Sequence, residues 1–146
     1  MLPNLLLLGA QKSASTLLGL WVSKHPQIYV RTKEDRSFED PEYSSFDPVF
    51  LSKDLPEGIK YYGIRRPEYL AVKKYTLRLK QHLPDAKVIS VLRNPVDRSI
   101  SAYHHYIKYG HIPVRSYDDF FVKRKFRNPI EKNVYKQIIN FSLYYG

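Results

Sequence analysis

Leu5–Leu18 reads LLLLGAQKSASTLL, and the rest of the chain is organised around it. Four consecutive leucines suit a buried strand, Gly9 opens a tight turn, Lys12 stands at its apex, and Ser13, Ser15 and Thr16 lead into an apolar helical run. The first amides of a helix have no intrahelical acceptor and lie at the positive end of its dipole, so an anion placed there collects several donors at once. Lys12 adds a full charge, and the three hydroxyls add further donors. A strand, an anion-binding loop and a helix are therefore expected, with phosphate or sulfate as the guest. The spacing is Gly-x-x-Lys-x-x-x-Thr, whereas the nucleoside triphosphatase loop places a second glycine directly before its lysine. The two loops differ. A serine-capped helix after a strand would look similar without any ligand, so a second motif has to decide.

Downstream, Leu17, Leu18, Leu20, Trp21 and Val22 predict a helix with a broad apolar face that ends near Pro26, followed by a short strand over 28–30. From Arg31 to Glu57 the periodicity breaks, and a loop is expected with one helical turn near Val49–Leu51. KYYGI, residues 60–64, reads as a strand ended by Arg65, Arg66 and Pro67. Val72, Tyr75, Leu79 and Leu83 recur with a helical period over 71–83, and KVISVL, residues 87–92, reads as a buried parallel-type strand. Asn94 as cap, Pro95 at the first helical position and Asp97 in the first turn start a helix that runs to about Tyr109, before Gly110. Two more helices are expected over 117–125 and 129–145. This order predicts an α/β fold: a P-loop-like, three-layer domain with a central parallel sheet flanked by helices, spanning 1–146 as one domain. Ligands of such sheets sit beyond the carboxyl ends of the strands, which places Lys12, the Arg65–Arg66 pair and Arg93 on one edge.

Composition narrows the ligand. The 146 residues carry 24 Lys plus Arg against 14 Asp plus Glu, a formal charge of +10, so an anionic partner is expected. The charge is scattered, without a basic tail or zinc-finger spacing, so a nucleic-acid partner is not expected. With no cysteine, disulfides and thiolate metal sites are excluded. The N-terminal leucines lack a basic flank and a small-residue cleavage site, and no run approaches the roughly 18 apolar residues of a membrane span. A soluble, cytoplasmic protein is the expectation.

The second motif, Leu92–Gly110, reads LRNPVDRSISAYHHYIKYG. Arg93 leaves the strand, and Arg98, Ser101, His105 and Lys108 fall at helical spacing on a polar face, opposite an expected buried face of Val96, Ile100, Tyr103 and Ile107. A guanidinium with a hydroxyl suits a phosphate monoester. GAQKSAST paired with VLRNPVDRSISAYHHYIKYG resembles the carbohydrate-type sulfotransferases that use 3′-phosphoadenosine 5′-phosphosulfate (PAPS), and the resemblance extends from Leu5 to about Tyr145. It implies that Gly9, Lys12, Ser13, Ala14, Ser15 and Thr16 hold the 5′-phosphosulfate, and that Arg93 and Ser101 hold the 3′-phosphate. Ala14 and Ser15 stand where that family often has glycine and threonine. YYGIRRPEYL, residues 61–70, resembles the family's Gly-x-x-Ser-Pro-x-Tyr stretch with Arg66 in place of serine.

The resemblance also reaches Lys33, Glu34 and Phe38, which match the Lys-Glu-x-His-Phe-Phe segment of heparan-type enzymes in part, with Arg36 and Ser37 replacing the histidine and first phenylalanine. It implies Glu34 as catalytic base, Lys12 as the group that neutralises the bridging oxygen, and His105 as an assisting residue. Adenosine 3′,5′-bisphosphate is the implied product, no metal is implied, and the acceptor is a small molecule or, by resemblance, a saccharide. The family continues past the terminal NFSLYYG, so a domain incomplete at its C-terminal end is expected. A P-loop nucleotide kinase or triphosphatase, and a binding-only remnant, are the alternatives. The oligomeric state and the acceptor itself are not legible.

Overall fold

The computed structural model describes residues 1–141; residues 142–146, into which the last expected helix extends, lie outside the described residues. The chain divides into two compact units, 1–92 and 93–146.

The first unit is built on a four-stranded, fully parallel sheet of β1 (Leu5–Gly9), β2 (Ile28–Val30), β3 (Tyr61–Arg65) and β4 (Lys87–Val91), in the order β2-β3-β1-β4. Leu5 to Leu8 are all buried because β1 is a central strand covered on both faces. Leu5 and Leu7, with Val30, pack against Leu18 and Val22 of α1 (Ser15–Val22) on one face. Leu6 and Leu8 join Tyr62, Ile64 and Tyr69 of α2 (Glu68–Ala71), and Leu79 of α3 (Lys73–His82), on the other. Each such leucine contributes roughly 1.5–3 kcal/mol by leaving water. The chain passes from β1 to β2 in one direction along the sheet and from β3 to β4 in the other, so β1 is the switch point at whose carboxyl end such sheets bind ligands.

Two expectations are corrected here, and a third is extended. KVISVL forms β4 as expected, but at the edge of the sheet, and Val88 and Ile89 are exposed rather than buried. Apolar β-branched composition reports strand propensity, not which strand takes the centre. The broad apolar face of α1 is only half used: Leu18 and Val22 pack on the sheet, while Leu17, Leu20 and Trp21 are exposed. The stretch over 31–57 is irregular with a helical turn at Val49–Leu51, as expected, and it also packs into the core. It holds two 3₁₀ turns, Glu42–Ser45 and Pro48–Leu51, and sends the fully buried Phe38 and Leu51 into the core, where Phe38 meets Phe46, Tyr69 and His82.

The second unit contains α4 (Pro95–Lys108), a π-helical turn at Asp118–Val122 in place of the expected 117–125 helix, and α5 (Pro129–Asn140). Both long helices start as their sequences dictate. Asn94 accepts from the amides of Val96 and Asp97, Asn128 accepts from Glu131, and a proline follows each cap. Its core is Ala102, Tyr103, Ile112, Phe120, Val134 and Ile138. Half of the expected buried face of α4 holds, with Tyr103 buried and Ile107 packed on the same core, but Val96 and Ile100 are exposed, whereas Arg98, expected on the polar face, is fully buried and donates to the Ile138 carbonyl on α5. The partner helix chooses the inward face, and a buried guanidinium stands there because it satisfies a backbone carbonyl.

Candidate active site

The loop between β1 and α1 is shaped for close approach. A Cβ on Gly9 would lie 2.8 Å from the Ser15 Cβ, so only glycine lets the chain turn there. Lys12 and Ala14 both take the left-handed conformation, at φ 67° and 64°. The family's glycine at the Ala14 position thus has a physical reason, since a Cβ in that region costs about 1–2 kcal/mol. Helix α1 begins without a side-chain cap and without an acid in its first turn, leaving the positive end of its dipole uncompensated. Ser13 and Ser15 are buried, and the Ser13 Oγ has no hydrogen-bond partner. Uncapped amides, an orphaned buried hydroxyl and an apical lysine fit an anionic group such as phosphosulfate.

Glu34 is brought to this loop by an arginine. Arg65, at the carboxyl end of β3, donates through Nη1 to Thr16 Oγ1 at 2.8 Å and to Glu34 Oε1 at 3.2 Å, and through Nη2 to the Thr32 carbonyl at 3.4 Å. The other Glu34 oxygen, Oε2, accepts from Arg66 Nη1 at 2.6 Å. Arg66 also pairs side-on with Glu39, through Nε and Nη2, and lies 3.2 Å from Glu68. Burial alone would lower the guanidinium's proton affinity, but Glu39, Glu68 and Glu34 together hold it above the ordinary arginine value. For Glu68 burial prevails and pushes the carboxyl up against the opposing pull of Arg66. The segment is pinned further by Asp35, which accepts from Arg31 at 2.7 Å and from the Tyr69 hydroxyl at 3.3 Å. Desolvation raises the Tyr69 phenol well above its usual range.

In the second unit, Arg93 is exposed directly before the α4 cap and Ser101 is half-buried on α4. The His105 ring packs 4.6 Å from that of Tyr109, and His104 bonds the Tyr117 hydroxyl. Among the described residues no group of three His, Asp or Glu is placed to hold a metal ion, and no helix is long and apolar enough to cross a membrane.

Of the expected site residues, the first unit brings together Gly9, Ser13, Ser15 and Thr16 in the loop, with Lys12 at its apex, and joins Thr16 to Glu34 through Arg65. The residues that sequence reasoning left without a role are Arg65 and Arg66. Their signal was position: a cation pair immediately after a strand, at the ligand-binding edge. What hid them was that their acids, 34, 39 and 68, are scattered through the sequence and meet only in three dimensions.

A parallel sheet with a tight loop at its switch point and an arginine-held carboxylate beside it defines a P-loop-like α/β protein. The sulfotransferase domain model matches residues 2–131. The chain belongs to the sulfotransferase domain family. It is 33% identical over 112 residues to the membrane-associated sulfotransferase kil1 of Dictyostelium discoideum, a match covering 74% of this chain and 24% of that protein. It is 30% identical over 124 residues to bifunctional heparan sulfate N-deacetylase/N-sulfotransferase 2 of Homo sapiens, covering 75% of this chain and 13% of that protein. The crystal structure of a sulfotransferase from Alicyclobacillus acidocaldarius superposes with a TM-score of 0.68 at 25% identity, covering 98% of this chain and 68% of that one. The chain thus spans a quarter or less of the two curated relatives.

Proposed function

We propose that the chain transfers a sulfuryl group from PAPS to a hydroxyl or amine of a saccharide. The observation that carries this reading is Arg65 Nη1, held between Thr16 Oγ1 and Glu34 Oε1, which sets a carboxylate beside an anion-accepting loop. Family membership supports PAPS as donor, and likeness to heparan sulfate N-sulfotransferases supports a saccharide acceptor.

The donor supplies a sulfuryl group joined to phosphate. Sulfuryl transfer, like phosphoryl transfer, spreads charge over peripheral and leaving oxygens, so positioning and electrostatics do most of the work. Lys12, the first amides of α1 and the hydroxyls of Ser13, Ser15 and Thr16 hold the phosphosulfate, in a loop whose turn depends on Gly9 and Ala14. Lys12 offsets the charge that grows on the bridging oxygen. Glu34 takes the proton from the acceptor, Arg93 and Ser101 hold the 3′-phosphate, and His105 assists by holding the sulfuryl group or the acceptor.

The test is transfer of labelled sulfate from PAPS to a glucosaminyl polysaccharide. Lys12→Ala is expected to abolish transfer. Glu34→Gln is expected to cut turnover by about 10²–10⁴, the usual span for a general base, while sparing nucleotide binding. Undiminished turnover in Glu34→Gln removes it as base, and phosphate transfer from ATP with magnesium but none from PAPS replaces the reading altogether.

A further inference from the structure

The resemblance leaves Arg66 unexplained, because serine is usual at its position. We infer that Arg66 is the positioning residue that aims Glu34. This rests on the reading of Glu34 as the base and adds how the chain holds that base in place.

The geometry gives the guanidinium two separate tasks. One edge, Nε with Nη2, is engaged side-on by Glu39, whose side chain is only 7% exposed, with Glu68 3.2 Å from Nε. Glu39 is braced in turn by Arg36 Nε at 3.3 Å. With that edge anchored, the remaining nitrogen, Nη1, has a fixed direction, and it meets Glu34 Oε2 at 2.6 Å. Arg65 takes the other oxygen and also holds Thr16, so the Glu34 carboxylate is suspended between two cations, one tied to the core acids and one tied to the anion loop. Glu34 retains 34% exposure of its side chain, leaving lone pairs accessible to an acceptor while its direction is fixed. A planar, five-donor fork can satisfy Glu39 with two nitrogens and still reach Glu34 with the third; an ammonium is a single point and cannot fix both directions. A carboxylate displaced by about 1 Å can lose about 10²-fold in rate.

The decisive experiment is a double-mutant cycle on sulfate transfer, with Arg66→Lys and Arg66→Ser made in the wild-type chain and in Glu34→Gln, and adenosine 3′,5′-bisphosphate binding measured in each. Arg66→Lys keeps the charge beside Glu39 and Glu68 and guards against misfolding. In the wild-type background both variants are expected to lower kcat about 10- to 100-fold, lysine less than serine, with KM for PAPS and bisphosphate affinity unchanged within about twofold. In the Glu34→Gln background the same changes should have no further effect, because the residue they act through is gone. Equal losses in both backgrounds overturn the inference and make Arg66 merely structural. Full turnover in Glu34→Gln instead overturns the base reading. The positioning claim is then judged by a second readout that needs no turnover, amide exchange over residues 33–35. Faster exchange in both Arg66 variants supports it, and unchanged exchange overturns it.

Discussion

Ala14 carries a cost that its side chain explains. At φ 64° a methyl group presses on the backbone, and the strain sits at the residue directly before α1. Ala14→Gly is expected to raise stability by about 1 kcal/mol, seen as an upward shift in the thermal midpoint; an unchanged or lower midpoint would show that the loop does not hold this conformation. Gly9→Ala, by contrast, forces a Cβ to within 2.8 Å of Ser15 and should destabilise. Glu68 makes a prediction about pH. Its folded carboxyl is held above the ordinary glutamate value by burial, so its contribution is fully present below that ordinary value and is lost as pH rises through the raised one. Wild-type stability relative to Glu68→Gln should therefore fall as pH rises above the ordinary glutamate value of 4.5, as measured by denaturant unfolding at each pH. A difference that stays flat would contradict the assignment. At this scale the sequence was informative about residue type and silent about partners. Lys12, Ser13 and Thr16 announced an anion loop, whereas nothing in the order of Glu34, Glu39 and Glu68 announced that they share Arg66.

Elements were legible where local chemistry sets them. The Asn94 cap, Pro95 and the Gly110 stop at φ 72° delimit α4 as read from the chain, and α5 starts at Pro129 as expected, with Asn128 found as its cap. The four strands fall within a residue or so of their expected places. Burial was less legible, because it depends on neighbours that local pattern does not name. KVISVL reads as a buried strand and is an edge; Arg98 falls on the polar face of α4 by spacing and is buried, donating to a carbonyl of α5. The segment between β2 and β3 illustrates this most clearly. Its prolines and acids read as loop, yet Phe38 is fully buried among Tyr43, Phe46, Tyr69 and His82. Phe38→Ala should therefore cost about 3–5 kcal/mol, as for a core aromatic. A loss below about 1 kcal/mol in denaturant unfolding would mean that the segment is not part of the core.

Across the whole molecule the dominant property is a charge of +10, with Glu34, Asp35, Glu39, Asp40, Glu42 and Glu68 of the first unit engaged by Arg31, Arg36, Arg65, Arg66, Lys74 and Arg78. Such a surplus draws anions, and screening weakens the attraction as salt is added, over a Debye length of about 10 Å at 0.1 M. Affinity for a bisphosphate nucleotide is accordingly expected to fall between about 0.05 and 0.5 M sodium chloride, which calorimetry at each concentration will show. The family was legible from two short motifs because each pairs cations and hydroxyls at a fixed spacing after a strand. The acceptor was not, since the 31–57 segment follows its own packing rather than a repeating chemistry. The most direct test of the central claim, that the loop from Gly9 to Thr16 grips the 5′ end of the donor nucleotide, is calorimetric titration of adenosine 3′,5′-bisphosphate into the wild-type chain and Lys12→Ala. The expected result is binding by the wild type that weakens about 10- to 100-fold in the variant, in line with about 1.5–3 kcal/mol for a charged hydrogen bond; equal affinity in the two proteins would contradict it.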